Sequence, residues 1–212
     1  MDFKVLREEM VTNQIAKRGI TDQRVLEAFR NVTRHLFVPE NKKSLAYEDY
    51  PLPIGQDQTI SQPYIVALMT ELLDVKKGDR ILEIGTGSGY QAAILSYLGA
   101  KVYSIERFAV LAKNAKELLD SLQYYVEITV GDGTLGWQEH SPYDKIIITA
   151  AAPSISPCWI EQLVVGGKIV VPLGTAFGQD LTLIEKIEEG NIKQTAVCGC
   201  VFVPLIGKYG YK

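Results

Sequence analysis

Three glycines at spacing two and two, Gly85, Gly87 and Gly89, follow the run Ile81-Leu82-Glu83-Ile84, whose acid stands just before the first of them. Glycines at a strand-to-helix turn let a ligand lie against bare backbone at the carboxyl edge of a sheet. The dinucleotide fingerprint places its third glycine three residues after the second and leaves the helix amides open to a pyrophosphate. Here Gly89 comes one residue early. A carboxylate at Glu83 repels a diphosphate and suits a ligand carrying an ammonium or sulfonium charge. Glu106 closes the next apolar run 21 residues after Gly85, about the interval at which an acid accepts hydrogen bonds from ribose hydroxyls. Gly131-Asp132-Gly133 puts a third acid at the end of a third run, where it can read an adenine amino group. Three acids at three successive strand ends favour an adenosine-bearing ligand.

The glycine spacing resembles the S-adenosylmethionine loop of Rossmann-like methyltransferases. Enzymes of that kind that act on exocyclic base amines carry Asn or Asp followed by Pro-Pro and an aromatic after the fourth strand, whereas this chain has Thr149-Ala150-Ala151-Ala152-Pro153. Alanines supply space and no catalytic group. Cys158 lies beyond them and leads into a helical pattern beginning at Trp159, so it reads as packing, not as a nucleophile. The chain has only His35, His140 and three cysteines, with no CxxC pair and no Asp-Asn pair near these strand ends, and no metal site is expected. One polar run remains, from Leu52 to Pro63, with five uncharged hydrogen-bonding side chains between Gln56 and Gln62. A helix start offers amides and a hydroxyl that can hold a carboxylate. Ser61 also fits as the cap of that helix, with Pro63 in its first turn.

These residues need a scaffold that gathers strand ends on one edge. From residue 79 onward apolar runs and helical patterns alternate: strands at 80–84, 101–105, 125–130, 145–149 and 168–172, with helices near 90–98, 109–122 and 159–164. Alternation of this kind means a mostly parallel sheet with helices on both faces, an α/β Rossmann-like fold. Leu181 to Ile187 and Ile192 to Val203 flank Glu188-Glu189-Gly190-Asn191, a hairpin signal that places an antiparallel pair at one sheet edge. Upstream, helical spacing covers 3–18 and 22–30, with Thr21 as a cap. A long irregular stretch spans 31–60, and a helix follows with Ile65, Leu68, Met69, Leu72 and Leu73 as its buried stripe. The expected organisation is one domain of 212 residues, a helical and loop cap over 1–60 and a core over 61–212.

Composition narrows the function classes. The 212 residues carry 22 basic and 25 acidic side chains, a formal net charge of −3, with a small positive excess confined to residues 1–43. Such a balance offers no field to hold a phosphate backbone, so no nucleic-acid partner is expected. The charged N-terminus and the absence of a long apolar run predict a cytoplasmic protein without a membrane span. The three cysteines, odd in number, fit a reducing compartment.

Nearly end to end, the chain resembles the protein-L-isoaspartate (D-aspartate) O-methyltransferase family. The marks are Arg34-His35-Leu36-Phe37-Val38-Pro39, Ala46-Tyr47, Gln58-Thr59-Ile60-Ser61-Gln62-Pro63, Leu82 to Gln91, Ser104 to Arg107, Gly131-Asp132-Gly133, Ala150 to Pro153, Gly166-Gly167 and Phe202-Val203-Pro204-Leu205. The resemblance implies S-adenosyl-L-methionine as cofactor and, as partners, damaged polypeptides containing isoaspartyl residues, acted on by a monomer. It implies Ser61 as the active-site residue and Gln58, Thr59, Glu83, Gly85, Gly87, Glu106, Arg107, Asp132, Gly133 and Gln179 around the cofactor. Two positions depart from the family pattern: Asp57 stands where Gly is usual, and Thr134 where an aromatic is common. A small-molecule carboxyl or tRNA methyltransferase, or a nucleotide-binding oxidoreductase, are the alternatives on the same fold.

Overall fold

The computed structural model of the chain describes residues 1–175 and 177–212. Its centre is a seven-stranded sheet. The strands are β3 (Arg80–Ile84), β4 (Lys101–Glu106), β5 (Val126–Val130), β6 (Tyr143–Ile148), β7 (Leu163–Thr175), β8 (Gly178–Glu188) and β9 (Asn191–Cys200), in the order β5-β4-β3-β6-β7-β8-β9. The first five pair in parallel, and β8 and β9 add antiparallel strands as a hairpin at one edge. This is the expected Rossmann-like methyltransferase architecture. The order of the last strands follows from Gly190, whose left-handed backbone turns β8 directly back into β9.

Side chains alternate across the pleat, so each strand feeds two cores. Ile81, Val102, Ile147 and Val170 point to the face covered by α2 (Gln23–Asn31), α3 (Pro63–Leu73), α4 (Tyr90–Tyr97) and α5 (Ala109–Ser121). Leu82, Tyr103, Ile146 and Ile169 point to the other, where Trp159 of the short α6 (Pro157–Gln162) is fully buried. The buried stripe of α3 is rotated from the expected one. Val66, Ala67, Met69, Thr70 and Leu73 are buried, because Thr70 satisfies its hydroxyl inside by donating to the Val66 carbonyl and accepting from Gln91.

The N-terminal third departs most from the periodicity. Helix α1 (Phe3–Glu9) is short, and wider and tighter turns carry the chain from Met10 to Arg18. Asp22, not Thr21, caps α2 by accepting from the Arg24 amide. The 31–60 stretch is not a structureless loop. It holds two short 3-10 turns and a hairpin of β1 (Leu52–Gly55) and β2 (Gln58–Ile60), whose tip residues Gln56 and Asp57 both have positive φ. The left-handed φ of +55° at Asp57 is the physical reason a glycine is natural there.

Candidate active site

The carboxyl ends of β3, β4, β5 and β6 lie on one edge and bring Glu83, Gly85, Gly87, Glu106, Gly131, Gly133 and Thr149 together. A cleft of about 550 Å³ is lined there by Gln58, Thr59, Gly85, Gly87, Glu106, Arg107, Gly133 and Thr149, with Ile84, Ile105 and the segment Val203 to Ile206 as apolar walls. Two further hollows open from it. One of about 400 Å³ runs along the glycine turn past Ser61, Met69, Ser88 and Gln91. The other, of about 1040 Å³, is bounded by Pro51, Ser61, Gln62, Ile65 and Gly199 to Val203. Thr59 and Thr149 line all three, and Ser61 lines the two hollows that adjoin the main cleft.

Local chemistry explains how the turn keeps its shape. Gly85 has φ +97°, and a Cβ there would overlap the Thr149 hydroxyl, which donates to the Gly85 carbonyl at 2.6 Å. Gly89 serves the packing of the helices instead, since its Cβ would press on Leu119 of α5 at 3.1 Å. Glu106 holds the turn from the next strand, accepting from the Gly87 amide at 2.9 Å and from the Phe108 amide at 3.0 Å.

Glu83 is fully buried beneath the turn. One carboxylate oxygen accepts from Ser104, whose hydroxyl also contacts that of Thr86, and the other has no partner. Burial drives its pKa up to about 8; the neighbouring charge of Glu106 adds to this and the Ser104 hydrogen bond opposes it. A buried acid with a free oxygen beside a glycine turn fits a cationic cofactor group, and Glu106 with the apolar walls fits a ribose and a base.

The cap expectation for Ser61 is corrected. Gln62 occupies the N-cap of α3 without a side-chain bond, Pro63 opens the first turn, and the Ser61 side chain bonds none of the helix amides. The Ser61 hydroxyl has no protein partner among the described residues, while its carbonyl accepts from Arg34 at 2.8 Å. Arg34 is fully buried, also donates to the Ala46 carbonyl at 2.7 Å, and is lowered by burial to a pKa of about 10, so it remains charged at neutral pH. It is the post that fixes the polar run against the N-terminal layer.

Three of the expected cofactor residues stand outside the lining of the cleft. Glu83 lies beneath it. Asp132 turns away: its carboxylate accepts from the Thr134 amide and hydroxyl and from the Lys208 amide, bonds that hold it below the usual carboxylate range although burial raises it. Gln179 is buried in a clasp, donating to the Thr175 carbonyl and accepting from the Phe202 amide. What Gln179 does for the site is hold Phe202, which walls the largest hollow. Sequence reasoning missed Thr149, although it ends a strand as Glu83 and Glu106 do, and it missed Val203 to Ile206, which carry no polar side chain to mark them.

The profile of the protein-L-isoaspartate(D-aspartate) O-methyltransferase (PCMT) family matches residues 5–210. The chain belongs to this family. A relative named protein-L-isoaspartate O-methyltransferase from Geobacter metallireducens is 51% identical over 212 residues, covering all of this chain and 98% of its own. Among solved structures, a protein-L-isoaspartate O-methyltransferase superposes with a TM-score of 0.88 at 31% identity, over 96% of this chain and 67% of that one. A second, described as a putative family member from Plasmodium falciparum in complex with S-adenosyl-L-homocysteine, has a TM-score of 0.81 at 24% identity, over 97% and 99%. As a family member the chain is an S-adenosylmethionine-dependent methyltransferase. Among the described residues no cluster of His, Cys, Asp or Glu could hold a metal ion, and no helix is long and apolar enough to cross a membrane.

Proposed function

We propose that this chain methylates the free α-carboxylate of L-isoaspartyl, and D-aspartyl, residues in damaged polypeptides, with Ser61 as the residue that orients the acceptor. The observation that carries the reading is the meeting of the cofactor cleft and the large hollow at Thr59 and Thr149, with Ser61 beside them and its hydroxyl free. Gln58, Thr59, Gly85, Gly87, Glu106, Arg107 and Gly133 would hold S-adenosylmethionine, with Glu83 beneath it. When bound, S-adenosylmethionine supplies an electrophilic methyl carbon on its sulfonium.

The acceptor asks little of the protein. A carboxylate with a pKa of about 4 is already ionised at neutral pH, so no general base is needed. The task is orientation, which brings a carboxylate oxygen to about 3 to 3.5 Å from the carbon it attacks. Ser61 can donate to the acceptor's other oxygen, Thr59 and Thr149 border the place of transfer, and the apolar walls Ile65, Phe202 and Val203 keep water from competing. The hollow exceeds the needs of one side chain and leaves room for the flanking residues of an extended polypeptide. The three free cysteines and the even charge accord with a monomer working in the cytoplasm.

The test is transfer of a labelled methyl group to matched isoaspartyl and aspartyl peptides by the wild type and by Ser61→Ala. The wild type should label only the isoaspartyl peptide. Because Ser61 caps nothing, the variant should melt as the wild type does and bind the cofactor equally. Losing a hydrogen bond to a charged acceptor should lower kcat/KM about 10-fold to 150-fold. Near-normal turnover would remove Ser61 from the acceptor site.

A further inference from the structure

The end of the chain crosses the cofactor cleft and is tied down on its far side. Val203 and Leu205 bridge to Ala151, whose amide donates to Val203 at 2.8 Å and whose carbonyl accepts from Leu205 at 2.8 Å. Leu205 and Ile206 wall the cleft next to Gly131 and Gly133. Beyond them the chain turns onto Asp132 and Thr134. The Lys208 amide donates to the Asp132 carboxylate at 2.8 Å, and the Tyr209 amide to the Thr134 hydroxyl at 3.2 Å. That hydroxyl in turn donates to Asp132 at 2.6 Å, so one buried threonine joins the strand end to the tail. Tyr211 closes the turn, its amide on the Leu205 carbonyl and its hydroxyl on the Gly174 carbonyl, both at 2.8 Å. The fit leaves no slack: a Cβ at Gly207 would overlap the Asp132 carboxylate, and one at Gly210 the Leu205 carbonyl.

A side chain without a hydroxyl at position 134 could make neither the bond to Asp132 nor that to Tyr209. We propose that residues 204–211 form a strap over the base-binding end of the cofactor cleft, and that Thr134 with Asp132 is its latch. Thr134 is thus a positioning residue. It sets cofactor affinity and residence through the strap and touches neither the cofactor nor the acceptor. The inference rests on the reading that this cleft holds S-adenosylmethionine.

Thr134→Val keeps the volume and removes the hydroxyl. It should weaken S-adenosylmethionine binding about tenfold, mostly through faster dissociation, as expected when the loss of one charge-assisted and one neutral hydrogen bond in the strap is felt in part at the cofactor. The cofactor KM should rise in step, while kcat at saturating cofactor and the isoaspartyl peptide KM stay unchanged. Thr134→Ser should restore the affinity. Tyr211→Phe, which loosens the strap at its other end without touching the buried threonine, should give a smaller change in the same direction. Amide exchange supplies the independent readout: adding S-adenosylmethionine to the wild type should slow exchange across 203–211, and less so in Thr134→Val. Unchanged cofactor affinity and dissociation in both variants would overturn the latch. A wild type that binds the cofactor without protecting 203–206 would instead overturn the placement of the cofactor in this cleft.

Discussion

Replacing Glu83 by Gln tests whether the buried acid under the glycine turn is an electrostatic load on the unliganded chain. Its pKa, about 8 in the folded state against 4.5 for a solvated glutamate, means that the folded chain holds this proton more tightly than the unfolded one. Between those values the folded state binds more protons, so stability falls as pH rises, and the loss is complete above about pH 8. At about 1.4 kcal/mol for each tenfold change in proton affinity, the full penalty is about 5 kcal/mol. About 2 kcal/mol of it is present at pH 6 and nearly all by pH 9, so the wild type should lose about 3 kcal/mol across that window on this account. Gln keeps the size and can still accept from Ser104, but it does not ionise. Urea denaturation of both proteins without cofactor, at half-unit steps from pH 6 to 9, gives the difference curve, from which the other titrating groups cancel. Glu83→Gln should gain on the wild type steadily toward pH 8 and then level off. Parallel curves would refute the reasoning and mean that the free carboxylate oxygen is solvated.

Two further outcomes follow from particular contacts. If Glu106 holds the ribose as proposed, Glu106→Ala should raise the cofactor dissociation constant about 10-fold to 150-fold, because it would remove a charged acceptor for ribose hydroxyls as well as the anchor of the Gly87 amide; calorimetry checks this, and a change confined to the peptide KM would contradict it. Asp57→Gly should stabilise the chain by up to about 1 kcal/mol, or about 2 to 4 °C in Tm, by relieving a left-handed backbone at the hairpin tip. Thermal melting reads the gain, and a lower Tm would show that the aspartate side chain stabilises the turn.

Legibility followed how local the signals were. The alternation from Arg80 onward was readable because the parallel strands are apolar runs, and β3, β4 and β5 end at or beside Glu83, Glu106 and Gly131, which mark the cleft edge. The β1 and β2 hairpin was hidden because Pro51 precedes it and Pro53 lies within β1, and because L-residues, Gln56 and Asp57, take the positive φ values where an Asn-Gly pair would have announced a turn. Ser61 drew attention as a cap only because serine before proline so often is one; the helix took Pro63 as its start and left the hydroxyl free. Phe202 to Leu205 stand out in the sequence only as a mark of the family, and that Val203 to Ile206 wall the cleft could not be read from their types or spacing. These residues reach the cleft through bridges to Ala151, some fifty positions away, and their own side chains carry no chemistry. Gln179 shows the converse, a polar side chain whose hydrogen bonds are spent on Thr175 and Phe202.

The three strand-end acids mark the boundary between what position and surroundings decide. All three stand at the carboxyl end of a parallel strand, so their place on one edge follows from the topology alone. Their work does not. Glu83 points to the face covered by α2 to α5, where desolvation favours its protonated form. Glu106 lies where two backbone amides converge, Gly87 and Phe108, so it shapes the turn that meets the ligand. Asp132 meets the returning C-terminal segment, and its charge is held by Thr134 and the Lys208 amide. A one-residue change of pleat at Glu83, or loss of the Lys208 amide at Asp132, would change what that acid does without altering the residue, because an acid's role is set by which donors the tertiary structure brings to it.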